Sequence, residues 1–194
     1  MNYVDIPPPG QGLKAPGVRF RAGNCVDQDR EFLIRKACIG DATEILELLN
    51  MIADSHFLLP RGPQYIYENI RDFVVAIGAC EEVSAQGREE SPSMIVACGS
   101  LHVLWEDLAE VRSLAIHPEF QKCGIGRRIV EYMQEEARGL GIKRLFAFTM
   151  AEEFFRALGF EPKERDELPV KVWGECSWCP KYFKCDEVGM ILQI

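Results

Sequence analysis

A chain of 194 residues with a formal net charge of −8 at pH 7 is long enough for one domain at roughly 100 to 200 residues each. Its acidic balance argues against a nucleic-acid face and leaves a basic protein tail open as a substrate. No stretch approaches ~18 uninterrupted apolar residues and no basic region followed by an apolar run opens the chain, so neither a membrane partner nor a secretory signal is expected.

Eight cysteines in a chain of this length read as mostly reduced thiols of a cytoplasmic protein, unlike a small disulfide scaffold. Residues 1–30, with Pro7-Pro8-Pro9-Gly10 and further glycines, show no period and read as a flexible leader. Residues 31–194 read as one domain. Phe32 to Cys38 is its first expected strand, and Asp41-Ala-Thr-Glu44 has the form of a capping box opening a helix with Ile45, Leu48, Leu49 and Ile52 on one face.

Beyond the loop Phe57 to Pro63, a second helix is expected through Tyr65 to Arg71, with Tyr65, Ile66 and Ile70 inward. Strands follow at Phe73 to Cys80, Met94 to Leu104 and Ala109 to Ile116, the first two joined by a polar hairpin loop, Glu81 to Ser93. Next comes a helix with Ile129, Met133 and Ala137 on its inner face, ended by Gly139 and Gly141. A short strand Leu145 to Thr149, a further helix and a last strand Val188 to Ile194 complete the order.

The most telling stretch is Val111 to Val130, an apolar strand running into a glycine-rich turn that opens a helix. Gln121, Gly124 and Gly126 stand there at the spacing Q-x-x-G-x-G. Missing Cβ atoms let the backbone close on a phosphate and the helix dipole favours its charge, so a pyrophosphate-bearing ligand is expected. A dinucleotide fold would need G-x-G-x-x-G near the start of a βαβ unit, and no G-x-x-x-x-G-K-[ST] occurs for a nucleoside triphosphate.

From Glu110 through this helix to Lys143–Thr149 and Phe154–Phe160, the chain resembles the GNAT family of acetyl-CoA-dependent N-acetyltransferases, a likeness that runs over residues 32–165. The resemblance implies an α/β fold: a mixed, mostly antiparallel central sheet flanked by helices and splayed between its fourth and fifth strands. It implies acetyl-CoA as cosubstrate, with the pyrophosphate on Gln121, Lys122, Cys123, Gly124, Ile125, Gly126 and Arg127. Pantetheine is then implied to pair with Leu114, Ala115 and Ile116 as an added strand would. By Ile52 to Arg61, ending Leu-Leu-Pro-Arg, Tyr67 to Val75, Ala109 to Pro118 and Glu167-Leu-Pro169, the chain also resembles the short, stand-alone N-acetylglutamate synthases. That likeness implies acetyl transfer to the amino group of L-glutamate, at the head of arginine synthesis, by direct transfer in a ternary complex.

Such a transfer needs a base, and Glu110 at the start of its strand is the candidate, taking the amine proton directly or through a water. Its other reading is a solvated carboxylate paired with Arg112 two residues on; the resemblance to the synthases favours the base. Two substrate carboxylates call for guanidinium forks, Arg61 first, then Arg112 and Arg71, with Ser113 beside them. Many family members carry a tyrosine acid four residues before the Gly of their last conserved helix, where this chain has Phe155. Tyr65 or Tyr67 is the substitute, or the thiol, with a pKa around 8.5, leaves as thiolate. Where longer synthases place an Arg and a Ser after the fifth strand, this chain reads Thr149-Met-Ala-Glu-Glu153. His117-Pro118 reads as a turn rather than a catalytic pair. Cys123 reads as loop filler, although a helix N-terminus lowers a thiol pKa.

In the tail, Cys176, Cys179 and Cys185 form C-x-x-C plus a third cysteine. A closed structural zinc site wants four ligands, so a hairpin of reduced thiols at about 170–194 is expected rather than a metal or a redox dithiol. A homodimer contact is placed near the last strand. Rival readings are acetylation of another small amine or a protein N-terminus, a catalytically silent acyl-CoA sensor, and a metal-sensing module built on the tail.

Overall fold

The computed structural model describes residues 17–21, 31–53, 58–79, 93–164, 167 and 182–194. Strands Val18–Arg21 (β1) and Glu31–Lys36 (β2) pair antiparallel and lead into helices Ala42–Ala53 (α1) and Pro63–Glu68 (α2). Three longer strands follow, Phe73–Ala79 (β3), Ser93–Trp105 (β4) and Leu108–Ile116 (β5), then helix Ile125–Gly139 (α3). Strand Arg144–Thr149 (β6), helix Glu152–Arg156 (α4) and strands Glu161–Lys163 (β7) and Val188–Gln193 (β8) complete the described elements. The sheet runs β1-β2-β3-β4-β5-β6-β8-β7, and every pairing is antiparallel except β5 with β6.

Three expectations are corrected here. Val18–Arg21 belongs to the sheet, so the leader read over 1–30 contains a strand; four residues between Gly-rich flanks carry too little alternation to announce one. The short β7 was not foreseen either, because Pro162 in its middle argues against a strand and is tolerated only where a pairing N–H is not needed. The capping box assigned to Asp41 and Glu44 does not form. Asp41 instead closes a 3-10 turn, Ile39–Asp41, and Glu44 accepts a hydrogen bond from the Ile95 amide at 2.9 Å, beside the point where the β3–β4 register shifts.

Strand β3 is apolar on both faces because both are covered. Val74 and Ala76 pack with Ile129, Met133 and Ala137 of α3, while Phe73 and Val75 pack with Ile45, Leu48 and Leu49 of α1 and Ile66 of α2. The apolar period foreseen for α1 and α3 is therefore the period that seats them on opposite faces of the sheet. No helix among the described residues is long and apolar enough to cross a membrane.

Strands β5 and β6 are paired only over Leu108–Glu110 and Arg144–Phe146. At the closed end, the Asp107 carbonyl accepts from the Lys143 and Arg144 amides, and the Asp107 carboxylate accepts from Arg144 Nε at 3.1 Å and Nη2 at 2.9 Å. Beyond Glu110 the two strands part. Counted from β2 they are the fourth and fifth strands, so the splay is where the family resemblance implied it.

Between β2 and α1, the Asp41 carboxylate accepts from Arg35 Nη1 at 2.6 Å and Nη2 at 2.8 Å, and from the Cys38 amide at 2.7 Å. Burial pushes this carboxyl up, but the Arg35 guanidinium and the Cys38 amide outweigh it and hold its pKa below the ordinary carboxylate value. A lowered folded-state pKa contributes stability above the unfolded value, ~3.9, that is lost as pH falls through the folded one. Asp41→Asn is expected to reduce the unfolding free energy by about 2 kcal/mol at neutral pH. The gap to the unmodified protein should close on acidification below about pH 4. Urea titrations across that range check both points; a gap constant with pH would contradict the charge-based origin.

Candidate active site

The glycine loop follows β5 through a 3-10 turn, Pro118–Phe120, in which His117 Nδ1 accepts from the Glu119 amide at 3.4 Å. His117 therefore shapes the turn, as the sequence suggested. Gln121 Nε2 donates to the Ile116 carbonyl at 3.3 Å and ties the loop back to the end of β5. Lys122 has φ 63° and Gly124 φ 81°, both left-handed. A non-glycine residue in that region is uncommon and costs of order 1 kcal/mol, so Lys122 stores strain at the loop.

Gly124 is the N-cap of α3 and provides no side-chain acceptor, so the first-turn amides of this 15-residue helix carry no side-chain cap. Gly126 is buried at a close approach: a Cβ there would stand 3.2 Å from Ile116 Cδ1 and 3.3 Å from Phe154 Cζ. These features suit a phosphate-bearing ligand bound by backbone N–H groups. The side chains of the loop are divided. Gln121, Lys122 and Arg127 are exposed, whereas Ile125 and Cys123 are buried in the core. Arg127 Nη2 donates to the Ala157 carbonyl at 3.0 Å, bridging to the end of α4. Cys123 is disulfide-bonded, which corrects its reading as loop filler and removes a free thiol from the helix N-terminus.

A cavity of about 300 Å³ opens in the splay. Val111, Arg112, Ser113, Leu114 and Ile116 line it from β5, Phe148 and Thr149 from β6, and Phe154 from α4. Ala115, grouped with the cofactor residues, is buried on the other face against the α1 cluster, so only its backbone belongs to the site. On β5, Ser113 and Leu114 lie opposite the single residue Gly99 of β4, a bulge in which Ser113 takes φ 55°. Ser113 Oγ is buried without a hydrogen-bond partner while its residue lines the cavity. A larger cavity of about 840 Å³ lies among Arg19, Lys36, Arg128 and Glu136. None of its lining residues belongs to the splay, and Lys36 Nζ and Glu136 Oε1 in it satisfy each other at 2.8 Å.

Glu110 and Arg112 project from β5 to the face covered by α1 and α2, with 3.8 Å between Arg112 Nη1 and Glu110 Oε2. Both readings of Glu110 weighed in the sequence therefore meet in one arrangement. Arg112 Nη2 donates to Asn69 Oδ1 at 3.2 Å. Two guanidiniums approach the Tyr65 ring, Arg61 at 4.1 Å and Arg112 at 5.5 Å from its centroid. Asn50 clamps the Arg61 backbone, its Oδ1 accepting from the Arg61 amide at 3.1 Å and its Nδ2 donating to the Arg61 carbonyl at 3.3 Å. Arg61, Arg112 and Glu110 thus come together, whereas Arg71 is exposed.

Phe155 packs between Phe154 and Phe160, so that position provides no acid. Tyr67 is half exposed, and Tyr65 Oη is buried without a hydrogen-bond partner. Burial pushes the Cys98 thiol on β4 up to about 12, which leaves no thiolate there to act as a nucleophile. Cys176 and Cys179 lie outside the described residues; Cys185 is a free thiol 3.8 Å from Glu187 Oε2. Among the described residues no group of three or more His, Cys, Asp or Glu could hold a metal ion. Sequence reasoning missed Asp72, His102 and Asn69, which flank Glu110 and Arg112 through space and carry no motif.

Residues 46–160 match the acetyltransferase (GNAT) family. The chain belongs to that family, and it is an acetyl-CoA-dependent N-acetyltransferase. It is 32% identical over 158 residues to an uncharacterized N-acetyltransferase of Chlorobaculum tepidum, covering 81% of this chain and 94% of that one. To the amino-acid acetyltransferase of Mycobacterium tuberculosis it is 34% identical over 143 residues, 74% of this chain and 76% of the other. The N-acetylglutamate synthase of Neisseria gonorrhoeae, solved with coenzyme A and N-acetyl-glutamate, superposes with a TM-score of 0.68 at 25% identity, over 84% of this chain and 35% of that one.

Gly126→Val places a branched side chain where a lone Cβ is already crowded by Ile116 and Phe154. Isothermal titration is expected to give an acetyl-CoA affinity at least about ten-fold weaker, or about 1.4 kcal/mol. An unchanged Kd would take the loop out of the binding site.

Proposed function

We propose that the acceptor is L-glutamate and the product N-acetyl-L-glutamate, which would put the enzyme at the head of arginine synthesis. The observation that carries this reading is the pair of guanidiniums, Arg61 and Arg112, gathered at the Tyr65 ring, with Arg112 beside Glu110 where the strand pairing ends. Two guanidiniums provide forks for two carboxylates, and an acceptor so held presents its α-amino group toward a carboxylate base. The likeness to an amino-acid acetyltransferase and to a synthase solved with coenzyme A and N-acetyl-glutamate supports the same choice.

In the reaction, pantetheine lies along the open edge of β5 at Leu114–Ile116 and the pyrophosphate meets the amides of Gly124–Gly126. Glu110 removes a proton from the ammonium, and the neutral amine attacks the thioester carbon. Backbone N–H groups of the β5 bulge face the developing oxyanion, where fixed donors stabilise charge without reorganising. The tetrahedral adduct collapses with loss of a thiolate whose conjugate acid has a pKa around 8.5, so no strong acid is needed at the Phe155 position. Direct transfer fits a cleft in which Ser113 Oγ has no base against it, while the nearby Cys98 thiol is buried in the core and held neutral.

Acetyl-CoA turnover with a panel of acceptors tests the reading: L-glutamate is expected to give the highest kcat/KM, with N-acetylglutamate identified as product. Preference for an uncharged amino acid or a peptide would overturn it. Arg61→Ala is expected to raise the KM for glutamate about ten-fold with little change in the KM for acetyl-CoA; an unaltered glutamate KM would release Arg61 from the acceptor. For Glu110→Gln, kcat should fall about 100-fold while acetyl-CoA affinity is kept.

A further inference from the structure

Glu110 on β5 is paired directly across the ladder with His102 on β4. Partners of that kind rise from the same sheet face with Cβ atoms about 5 Å apart. His102 Nδ1 lies 2.7 Å from Asp72 Oδ2. Asp72 is itself fixed: its amide donates to the Asn69 carbonyl at 2.9 Å, and its carbonyl accepts from the Leu101 amide at 3.0 Å and from Lys36 Nζ at 3.4 Å. Asn69 in the same turn accepts from Arg112 at 3.2 Å. One turn, residues 69–72, therefore holds two ionisable neighbours of Glu110, His102 across the ladder and Arg112 two residues on.

A carboxylate on Nδ1 fixes the neutral ring with its proton on Nδ1 and leaves Nε2 as an acceptor. It also stabilises the imidazolium when Nε2 takes a proton. The His102 side chain is 31% exposed and that of Glu110 16%, so the ring is the better placed of the two to exchange with water. We infer that His102, oriented by Asp72, is a relay that takes from Glu110 the proton removed from the acceptor amine and passes it to solvent.

The inference rests on Glu110 as the base. In proton terms, the ammonium gives its first proton to the Glu110 carboxylate, which hands it to His102 Nε2 and returns to the anion. The imidazolium then loses the proton to water. The second amine proton, released as the tetrahedral adduct collapses, neutralises the departing thiolate. One proton reaches solvent per turnover and no electrons move.

The test compares His102→Gln, Asp72→Asn and Glu110→Gln for kcat, both KM values and the solvent deuterium isotope effect on kcat. His102→Gln is expected to lower kcat about ten-fold, keep both KM values within about two-fold and raise the isotope effect, because proton release from Glu110 becomes slow. Asp72→Asn should give most of the same loss, and the double variant no more than His102→Gln alone, since the two act as one unit. A fully folded His102→Gln, or His102→Asn if the first variant melts early, with unchanged kcat and isotope effect would overturn the relay. Loss of turnover in Glu110→Gln beside full turnover in His102→Gln overturns the relay alone; full turnover in Glu110→Gln overturns the base and the relay together.

Discussion

Hydrogen bonding between β5 and β6 stops after Glu110 and Phe146, and the rest of the site depends on that stop. Asp107 and Arg144 hold the two strands together at one end, and the Ser113 bulge turns β5 at the other. A parallel pair that continued to Ile116 and Thr149 would satisfy every backbone group on that edge and leave nowhere for a ligand strand. With the pairing ended, the edge of β5 keeps its donors and acceptors, the cavity opens beside it, and the chain runs from the same edge into the glycine loop. On the proposed reading, one stretch, Val111 to Gly126, sets the positions of both thioester and pyrophosphate.

The splay also links two chemically different faces. On the α3 side, Val111, Leu114 and Ile116 give apolar walls; on the α1 and α2 side, Glu110, Arg112, Arg61 and Tyr65 give charge and aromatic surface. Charges brought together in partial burial interact more strongly than in water, provided each is hydrogen-bonded. Asn69 and Asp72 meet that condition for Arg112 and His102. Among the described residues, left-handed backbone at non-glycine positions is confined to Ser113 and Lys122, and a fold tolerates such strain where the geometry serves binding.

Much of this was legible in the chain. The apolar strand before Q-x-x-G-x-G gave β5, the loop and α3 with its buried Ile129, Met133 and Ala137, because a glycine-dependent turn between two periodic elements leaves few alternatives. Arg112 and Glu110 were readable from their i, i+2 spacing on a strand. What escaped was held by tertiary contact. β1 is a strand only because β2 offers an edge, Asp41 caps the 3-10 turn through the Cys38 amide and binds Arg35 instead of pairing with Glu44, and the disulfide of Cys123 has no signal in cysteine spacing. The contact between His102 and Asp72 joins residues 30 apart in sequence and can be seen only once the 69–72 turn is placed under the sheet.

The most direct measurement is a two-dimensional amide NMR titration of the protein with acetyl-CoA. Binding along the open edge predicts the largest shift changes at Leu114–Ile116 and Gly124–Gly126, with smaller ones at Phe148 and Thr149 across the splay. Changes centred instead on the cavity among Arg19, Lys36 and Glu136, with the β5 amides unmoved, would contradict the placement of the thioester in the splay.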